Sequence, residues 1–366
     1  MPSSSKPVRY AVVGLGHIAQ VAVLPAFAHA RNSRLAALVS GDKQKRAQLS
    51  RKYRVPAFSY EQYEECLGQV DAVYIALPNS MHAEYTIRAA NAGVHVLCEK
   101  PLAVTVDECE RMIEACDSAA VKLMTAYRLH FEKISLEAID LVRRGRIGEP
   151  KFFSSTFSMT VKPGNIRTEE ELGGGTLYDL GVYCINAVRH LFAAEPIEAF
   201  GYSVNAAGNR MPEIDESSAA VLRFEGDRVA TFVTSFNAAD TGFYVVAGTK
   251  GSLCLDPAYE YAEGLAYELT VNGKTTSKQG RKSDQFAPEL EHFSDCILRD
   301  REPEPSGREG MQDVRIVQAL YESSRRGEPV HIPVYEESKR PTRRQEIRKP
   351  GIRKPELVNV ESAHEE

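Results

Sequence analysis

The stretch Gly14-Leu-Gly16-His-Ile-Ala19 follows the apolar run Val8 to Val13 and opens a segment with helical spacing. It restricts the fold more than any other feature of the chain. A strand that turns over two glycines straight into a helix is the start of a βαβ unit. The first glycine permits the tight turn, the second lets backbone approach a pyrophosphate, and the small last residue keeps the helix close to its strand. Gly14, Leu15, Gly16, His17 and Ile18 are therefore candidate dinucleotide contacts.

The same alternation continues. Val8 to Val13, Leu35 to Ser40, Ala72 to Ala76, Val94 to Cys98 and Lys122 to Ala126 read as strands, and 17–29, 42–53, 80–92 and 105–119 as helices. The spacing of apolar residues and the Gly and Pro at the ends predict a doubly wound parallel sheet, a Rossmann domain over 7–128. Past about residue 150 the pattern changes. A Gly-rich turn and a helix (173–192) precede β-rich segments at 196–205, 217–224, 228–236, 242–247 and 251–255, parted by Gly, Asn and Asp turns. This predicts a C-terminal α+β domain over 129–334 with an open, mostly antiparallel sheet, and two further helices near 284–299 and 309–326 leaning back on the body. The class is α/β. Residues 335–366 are basic and broken by proline, with a small repeat, Ile347-Arg-Lys-Pro350 and Ile352-Arg-Lys-Pro355. So few apolar residues predict a mobile tail.

Composition narrows the function. With 366 residues, 43% hydrophobic and 26% charged, the chain is ordinary globular protein, and no apolar run approaches the ~20 residues that cross a bilayer. A net charge of -5 argues against bulk attraction to nucleic acid or membrane, which leaves a small-molecule substrate. The seven cysteines are scattered without a C-x-x-C pair, and the N-terminus has no apolar export segment, so reduced thiols and a cytoplasmic protein are expected. No ligand spacing supports a metal, and His82, His130 and His190 are expected to pack or to orient neighbours.

An NAD-selective site ends its second strand with an acid for the ribose hydroxyls. Here that end is Ser40-Gly41, with Asp42 opening a helix that carries Lys43, Lys45 and Arg46. Hydroxyl plus cation suits a 2′-phosphate, hence NADP before NAD, with Asp42 as the helix cap; the other reading of the lysines is a solvated helix face. Leu77-Pro78-Asn79-Ser-Met-His82 follows the strand Ala72 to Ala76 at the rim where ligands bind; either Pro78 and Asn79 shape the loop over the nicotinamide side, or Asn79 or Ser80 caps the next helix.

Two further stretches carry chemistry: Cys98-Glu99-Lys100-Pro101 after a strand, and Gly173-Gly-Gly175-Thr-Leu-Tyr-Asp179-Leu-Gly-Val-Tyr183-Cys-Ile-Asn186. A lysine at a strand end aims an ammonium into the crevice, and Asp179 and Tyr183, four apart on a helix, share one face. Together they read as a proton-transfer set. With Tyr127-Arg128 and Glu309-Gly-Met-Gln-Asp-Val-Arg315, these motifs resemble the Gfo/Idh/MocA oxidoreductase family from about Val8 to about Val334, most closely its glucose-fructose oxidoreductase branch. The resemblance implies Lys100 near the reacting oxygen and Tyr183 as proton donor or acceptor. It also implies a second domain that binds substrate and builds a homodimer or homotetramer through its sheet. Two departures stand out: the branch's cofactor-wrapping N-terminal arm does not precede Val8, and tryptophan is absent.

Oxidising a sugar hydroxyl needs a base for its proton while hydride leaves the same carbon, and an ammonium beside a tyrosine favours that role. Lys100, Asp179 and Tyr183 are the expected catalytic residues. Arg128 and Arg167 join them as sugar contacts, and Ser40, Gly41, Lys45, Leu77, Pro78, Asn79, His82, Glu99, Lys100 and Arg128 complete the cofactor set. The expected activity is an NADP-dependent sugar or polyol oxidoreductase, taking an aldose at C1 to a lactone or reducing a sugar carbonyl. The alternatives are an NAD-assisted glycosidase and a non-catalytic dinucleotide sensor.

Overall fold

In the computed structural model, residues 6–205, 211, 213–333, 335, 340–353 and 355–360 are described. The first sheet contains β1 (Val8–Val13), β2 (Ser33–Val39), β3 (Ala57–Phe58), β4 (Ala72–Ile75), β5 (His95–Glu99) and β6 (Leu123–Ala126), ordered β3-β2-β1-β4-β5-β6 with every pair parallel. All residues of β4 and β6 are buried, as expected of strands covered on both faces. The order reverses at β1 and β4, so a ligand crevice opens beyond their carboxyl ends.

The connecting helices are fixed by local chemistry. A π turn, Ala19–Val23, runs into the short α1 (Leu24–Ala26) where a plain helix over 17–29 was expected. Asp42 caps α2 (Lys43–Tyr53), its Oδ1 accepting from the amides of Gln44 and Lys45 at 2.7 and 2.9 Å. Next come α3 (Tyr63–Leu67), α4 (His82–Asn91) and α5 (Val106–Ser118), the last held by a capping box in which Thr105 and Glu108 satisfy each other's amides.

The second sheet has nine strands: β7 (Pro150–Ser158), β8 (Pro196–Val204), β9 (Ser217–Phe224), β10 (Arg228–Ser235), β11 (Thr241–Gly248), β12 (Gly251–Leu255), β13 (Ala266–Val271), β14 (Lys274–Gln279) and β15 (Val330–His331). Their order is β14-β13-β12-β11-β7-β10-β9-β8-β15, antiparallel except where β7 pairs with β10. Strand β9 alternates buried with exposed, so one sheet face is inward and the other outward. The helices are α6 (Lys133–Arg143), α7 (Val182–Phe192), α8 (Ala287–Leu298) and α9 (Gly307–Arg326).

Contacts divide the chain differently from the boundaries at 128 and 334. Among the described residues, one unit lies within 6–128, 283–310 and 347–360, the other within 129–282 and 311–346. The reason is α8, whose Leu290 and Phe293 are fully buried and whose Ser294 hydroxyl bonds Tyr10 of β1 at 2.8 Å and Ser33 of β2 at 2.7 Å. Hydrophobic spacing marks a helix but not the sheet it covers.

The tail also departs from expectation. Arg340 bonds the Glu195 carboxylate at 2.7 Å, and Lys349 bonds Glu291 at 2.5 Å with only 10% of its side chain exposed. Residues 334, 336–339, 354 and 361–366, on which the expected boundary and parts of the tail fall, lie outside the described residues. Among the described residues no helix is long and apolar enough to cross a membrane. All seven cysteines are free thiols.

Candidate active site

In the first unit the two turn glycines do different work. Gly14 has φ +91°, and a Cβ there would lie 2.3 Å from the Ala76 carbonyl oxygen, so this glycine lets the end of β1 press against the end of β4. A Cβ on Gly16 would meet nothing within 4 Å. The turn therefore keeps open space before the second glycine, the cradle a pyrophosphate requires, and the residues present fit a dinucleotide. Leu15 is a buried side chain that offers the turn only its backbone, and its carbonyl accepts from Gln20 Nε2 at 3.0 Å. His17 and Ile18 are half-buried beyond it.

The end of β2 is built from polar groups already engaged. Ser40 is buried, and its Oγ accepts from the Asp42 amide at 3.2 Å. Arg46 reaches back one helical turn, its guanidinium donating to the Ser40 carbonyl at 2.5 Å. Asp42 spends Oδ1 on the α2 cap and Oδ2 on the Asn359 amide group, which holds its carboxyl below the usual range. Lys45, half-buried, contributes its backbone to that cap. A Cβ on Gly41 would stand 3.1 Å from the Tyr60 ring, so this glycine admits an aromatic wall. Sequence reading missed Gln20, Tyr60 and Asn359 and noted Arg46 only as a helix cation. A side chain that serves another segment leaves no local pattern.

Leu77 is buried, Pro78 is extended, and Asn79 opens a 3-10 turn (Asn79–Met81) that leads into α4. His82 needs correction as a cofactor contact. Its ring is wholly buried, Nδ1 lies 2.9 Å from the Pro101 carbonyl and Nε2 3.0 Å from that of Leu77. Burial lowers its pKa. The histidine thus braces the loop after β4 against the Lys100–Pro101 peptide, which is cis.

Glu99 accepts from the Tyr74 hydroxyl at 2.7 Å, and burial raises its pKa. Glu289, on α8, is fully buried with no hydrogen-bond partner for either oxygen among the described residues, and burial raises its carboxyl well above the ordinary range. Lys100 is half-buried beside this acidic group. Arg128 is buried and donates to the Gln285 side chain, which fixes its stem in the first unit.

In the second unit the glycine run gathers Arg167, Asp179 and Tyr183. A Cβ on Gly174 would lie 2.4 Å from the Arg167 carbonyl, and the Gly175 amide donates to that carbonyl at 3.0 Å. The backbone so placed lets Arg167 Nε donate to Asp179 Oδ2 at 2.7 Å, with Asn165 accepting from the same guanidinium at 3.3 Å. The Asp179 charge raises the Arg167 pKa. Beneath them Asp215 accepts from Ser218 and Tyr321, both at 2.7 Å, and from Thr176.

The expected shared face of Asp179 and Tyr183 needs qualification. Asp179 sits in a π turn, Leu177–Gly181, and Tyr183 in α7, so i,i+4 spacing of an α-helix does not apply there. The Asp179 carboxylate turns to Arg167 instead. Tyr183 stands against an aromatic wall, edge-on to Phe157 at 5.6 Å and tilted to Tyr259 at 5.9 Å. His130 bonds the Asn186 amide at 2.8 Å and packs edge-on to His190 at 4.7 Å, and Asn186 in turn donates to Asp313 at 3.0 Å. Asp313, buried within the 309–315 motif, also accepts from the fully buried Arg189 at 2.6 Å.

Comparison with known proteins places this geometry. Residues 8–127 match the GFO_IDH_MocA description, "Oxidoreductase family, NAD-binding Rossmann fold", and residues 139–332 match its "C-terminal alpha/beta domain". A D-xylose 1-dehydrogenase [NADP(+)] from Haloarcula marismortui is 32% identical over 332 residues, covering 88% of this chain and 92% of its own. Among solved structures, aldose-aldose oxidoreductase from Caulobacter crescentus, complexed with glycerol, is 36% identical with a TM-score of 0.86 over 89% of this chain and all of the other. A 3-ketoreductase from Actinomadura kijaniata, in complex with NADP and TDP-benzene, is 25% identical with a TM-score of 0.80, covering 87% and 98%.

Proposed function

The chain belongs to the Gfo/Idh/MocA oxidoreductase family, and from that premise we propose that it is an NADP-dependent oxidoreductase of a sugar, oxidising an aldose at C1 to the lactone or reducing a sugar carbonyl in the reverse sense. The observation that carries the cofactor choice is the end of β2. Both Asp42 oxygens are committed, so no free carboxylate faces the ribose hydroxyls, while Arg46 stands over Ser40. The sugar class comes from the relatives named as xylose dehydrogenase and aldose-aldose oxidoreductase.

Gly14–Ala19 and Ser40 to Arg46 would hold NADP, which would supply the hydride acceptor or donor. The chain's own residues do the rest. Tyr183 moves the proton of the reacting hydroxyl, while Asp179 holds the Arg167 guanidinium in place as a candidate sugar contact. Lys100 carries the positive charge toward the sugar oxygen, as the family resemblance implies. Cytoplasmic residence fits the seven free thiols. A homo-oligomer fits the outward sheet face, where Tyr202 is 63% exposed and Val204 and Val233 are 47% and 45% exposed.

The test is a panel of aldoses and polyols with NADP and NAD, following reduced nicotinamide. Aldose-dependent reduction of NADP, with NAD the poorer acceptor, is expected. Cleavage of aryl glycosides without net reduction would turn the reading to a glycosidase, and nucleotide binding without turnover to a sensor.

A further inference from the structure

Glu356, Val358 and Asn359, in the tail expected to be mobile, are bound to the walls of the dinucleotide turn and to the helix beside it. Gln20 is 2% exposed and holds Val358 by both backbone groups: Oε1 accepts the Val358 amide at 2.8 Å and Nε2 donates to its carbonyl at 2.9 Å. The same Nε2 donates to Leu15, between the two turn glycines. One residue on, Asn359 takes a left-handed backbone, φ +47°, and its amide group donates to Asp42 at the end of β2. Three residues before Asn359, the Glu356 carbonyl accepts from Lys52 of α2 at 3.1 Å. Upstream, Lys349 is fixed to Glu291 and its carbonyl accepts the Asp284 amide at 3.3 Å.

These anchors lie on the two features between which the adenosine half of a dinucleotide rests: the turn after β1 and the end of β2. We propose that residues 356–359 are part of the dinucleotide site, a strap over the adenosine half of NADP. The strap also acts on specificity, because Asn359 occupies the Asp42 oxygen that would otherwise select a free ribose. It does not stand in place of the pyrophosphate, since the space before Gly16 is left open. Opening the strap breaks the paired bonds of Gln20 with Val358 and the bond of Asn359 with Asp42.

The inference rests on the nucleotide part of the proposed function and is independent of the sugar. It is tested on the full chain, a chain ending at Pro355, and the surface variant Asn359→Ala. NADPH release is read by fluorescence in stopped flow, with binding of 2′,5′-ADP and of nicotinamide mononucleotide by calorimetry. The shortened chain is expected to release NADPH roughly tenfold to a hundredfold faster, about 1.4 to 2.8 kcal/mol. Its affinity for 2′,5′-ADP should fall by a similar factor while the mononucleotide is unaffected, and Asn359→Ala should narrow the preference for NADP over NAD. Should the shortened chain fail to fold, Asn359→Ala alone decides through that preference. Unchanged or slower NADPH release in a folded shortened chain, or an unchanged preference in Asn359→Ala, overturns the strap. Failure of the full chain to bind NADPH at all overturns the nucleotide reading itself.

Discussion

Alanine at Gly14 and alanine at Gly16 should separate a glycine the fold needs from one the ligand needs. At Gly14 the side chain meets two penalties at once. The backbone sits at φ +91°, and the new Cβ would stand 2.3 Å from the Ala76 carbonyl oxygen and 2.7 Å from its carbon. Left-handed backbone costs an L-residue roughly 1–2 kcal/mol, and forcing a methyl into a packed contact costs roughly 1–3 kcal/mol more. The combined loss, about 2–5 kcal/mol, lowers Tm by roughly 4–20 °C at the roughly 2–4 °C per kcal/mol of a unit this size.

At Gly16 neither penalty applies. Its φ is not in the left-handed region and nothing lies within 4 Å of the added Cβ. Replacing such a glycine restricts the unfolded chain and stabilises by roughly 0.4–1 kcal/mol. The methyl instead fills the pyrophosphate's place and displaces one or two charge-assisted hydrogen bonds of roughly 1.5–3 kcal/mol each, so NADPH affinity falls about tenfold or more. Differential scanning calorimetry and NADPH fluorescence titration on both variants check this. Gly16→Ala binding NADPH within twofold of wild type, or losing as much Tm as Gly14→Ala, would refute the division of labour.

Tyr183→Phe should lower kcat by about 10² to 10⁴ with NADPH affinity nearly unchanged, as for loss of a general acid or base; Lys100→Ala should do at least as much, and near wild-type turnover in either removes its assigned role. Glu289 faces Glu99, Asp284, Arg128 and Tyr74, and its pKa is raised, first by burial. The folded chain therefore keeps a proton that the unfolded chain sheds, and stability falls as pH rises above the unfolded carboxyl range by about 1.4 kcal/mol per pH unit until the folded group ionises. Glu289→Gln should accordingly be more stable than wild type in urea at pH 8, with the gap closing toward pH 4; a pH-independent gap contradicts this. Tyr202→Lys, on the outward sheet face, should reduce the mass seen by light scattering without lowering Tm, and an unchanged mass counts against that face as the interface.

The first sheet was legible because its strands are covered on both faces and so read as continuous apolar runs, as β1 and β4 do. The second sheet was legible where one face alternates, as in β9, and hidden elsewhere. Strand β14, Lys274–Gln279, is almost wholly exposed at the sheet edge and carries no apolar residue to signal it. Strand β13 beside it and β7 in the middle of the sheet also went unread, and in β7 the buried Ser155 stands where an apolar residue would have signalled the inward face. Composition misjudged the tail for a related reason. Burying apolar side chains is one way to hold a segment, but Val358 is held through its amide and carbonyl by Gln20, and backbone groups are present in every sequence.

At the candidate site the sequence pointed to residue types, while the structure decides their partners. Tyr183 was expected to depend on an ammonium. The cation that the second unit binds to Asp179 is Arg167, whose guanidinium stays charged at any pH an enzyme meets. The Asp179 carboxylate holds that guanidinium, and the Arg167 backbone comes close because Gly174 has no side chain to keep it away. The glycine run, which reads only as a turn, is thus the element that seats Arg167, twelve residues before Asp179, against the segment carrying that acid. The π turn then carries Asp179 round to meet it, and neither spacing nor composition encodes that insertion.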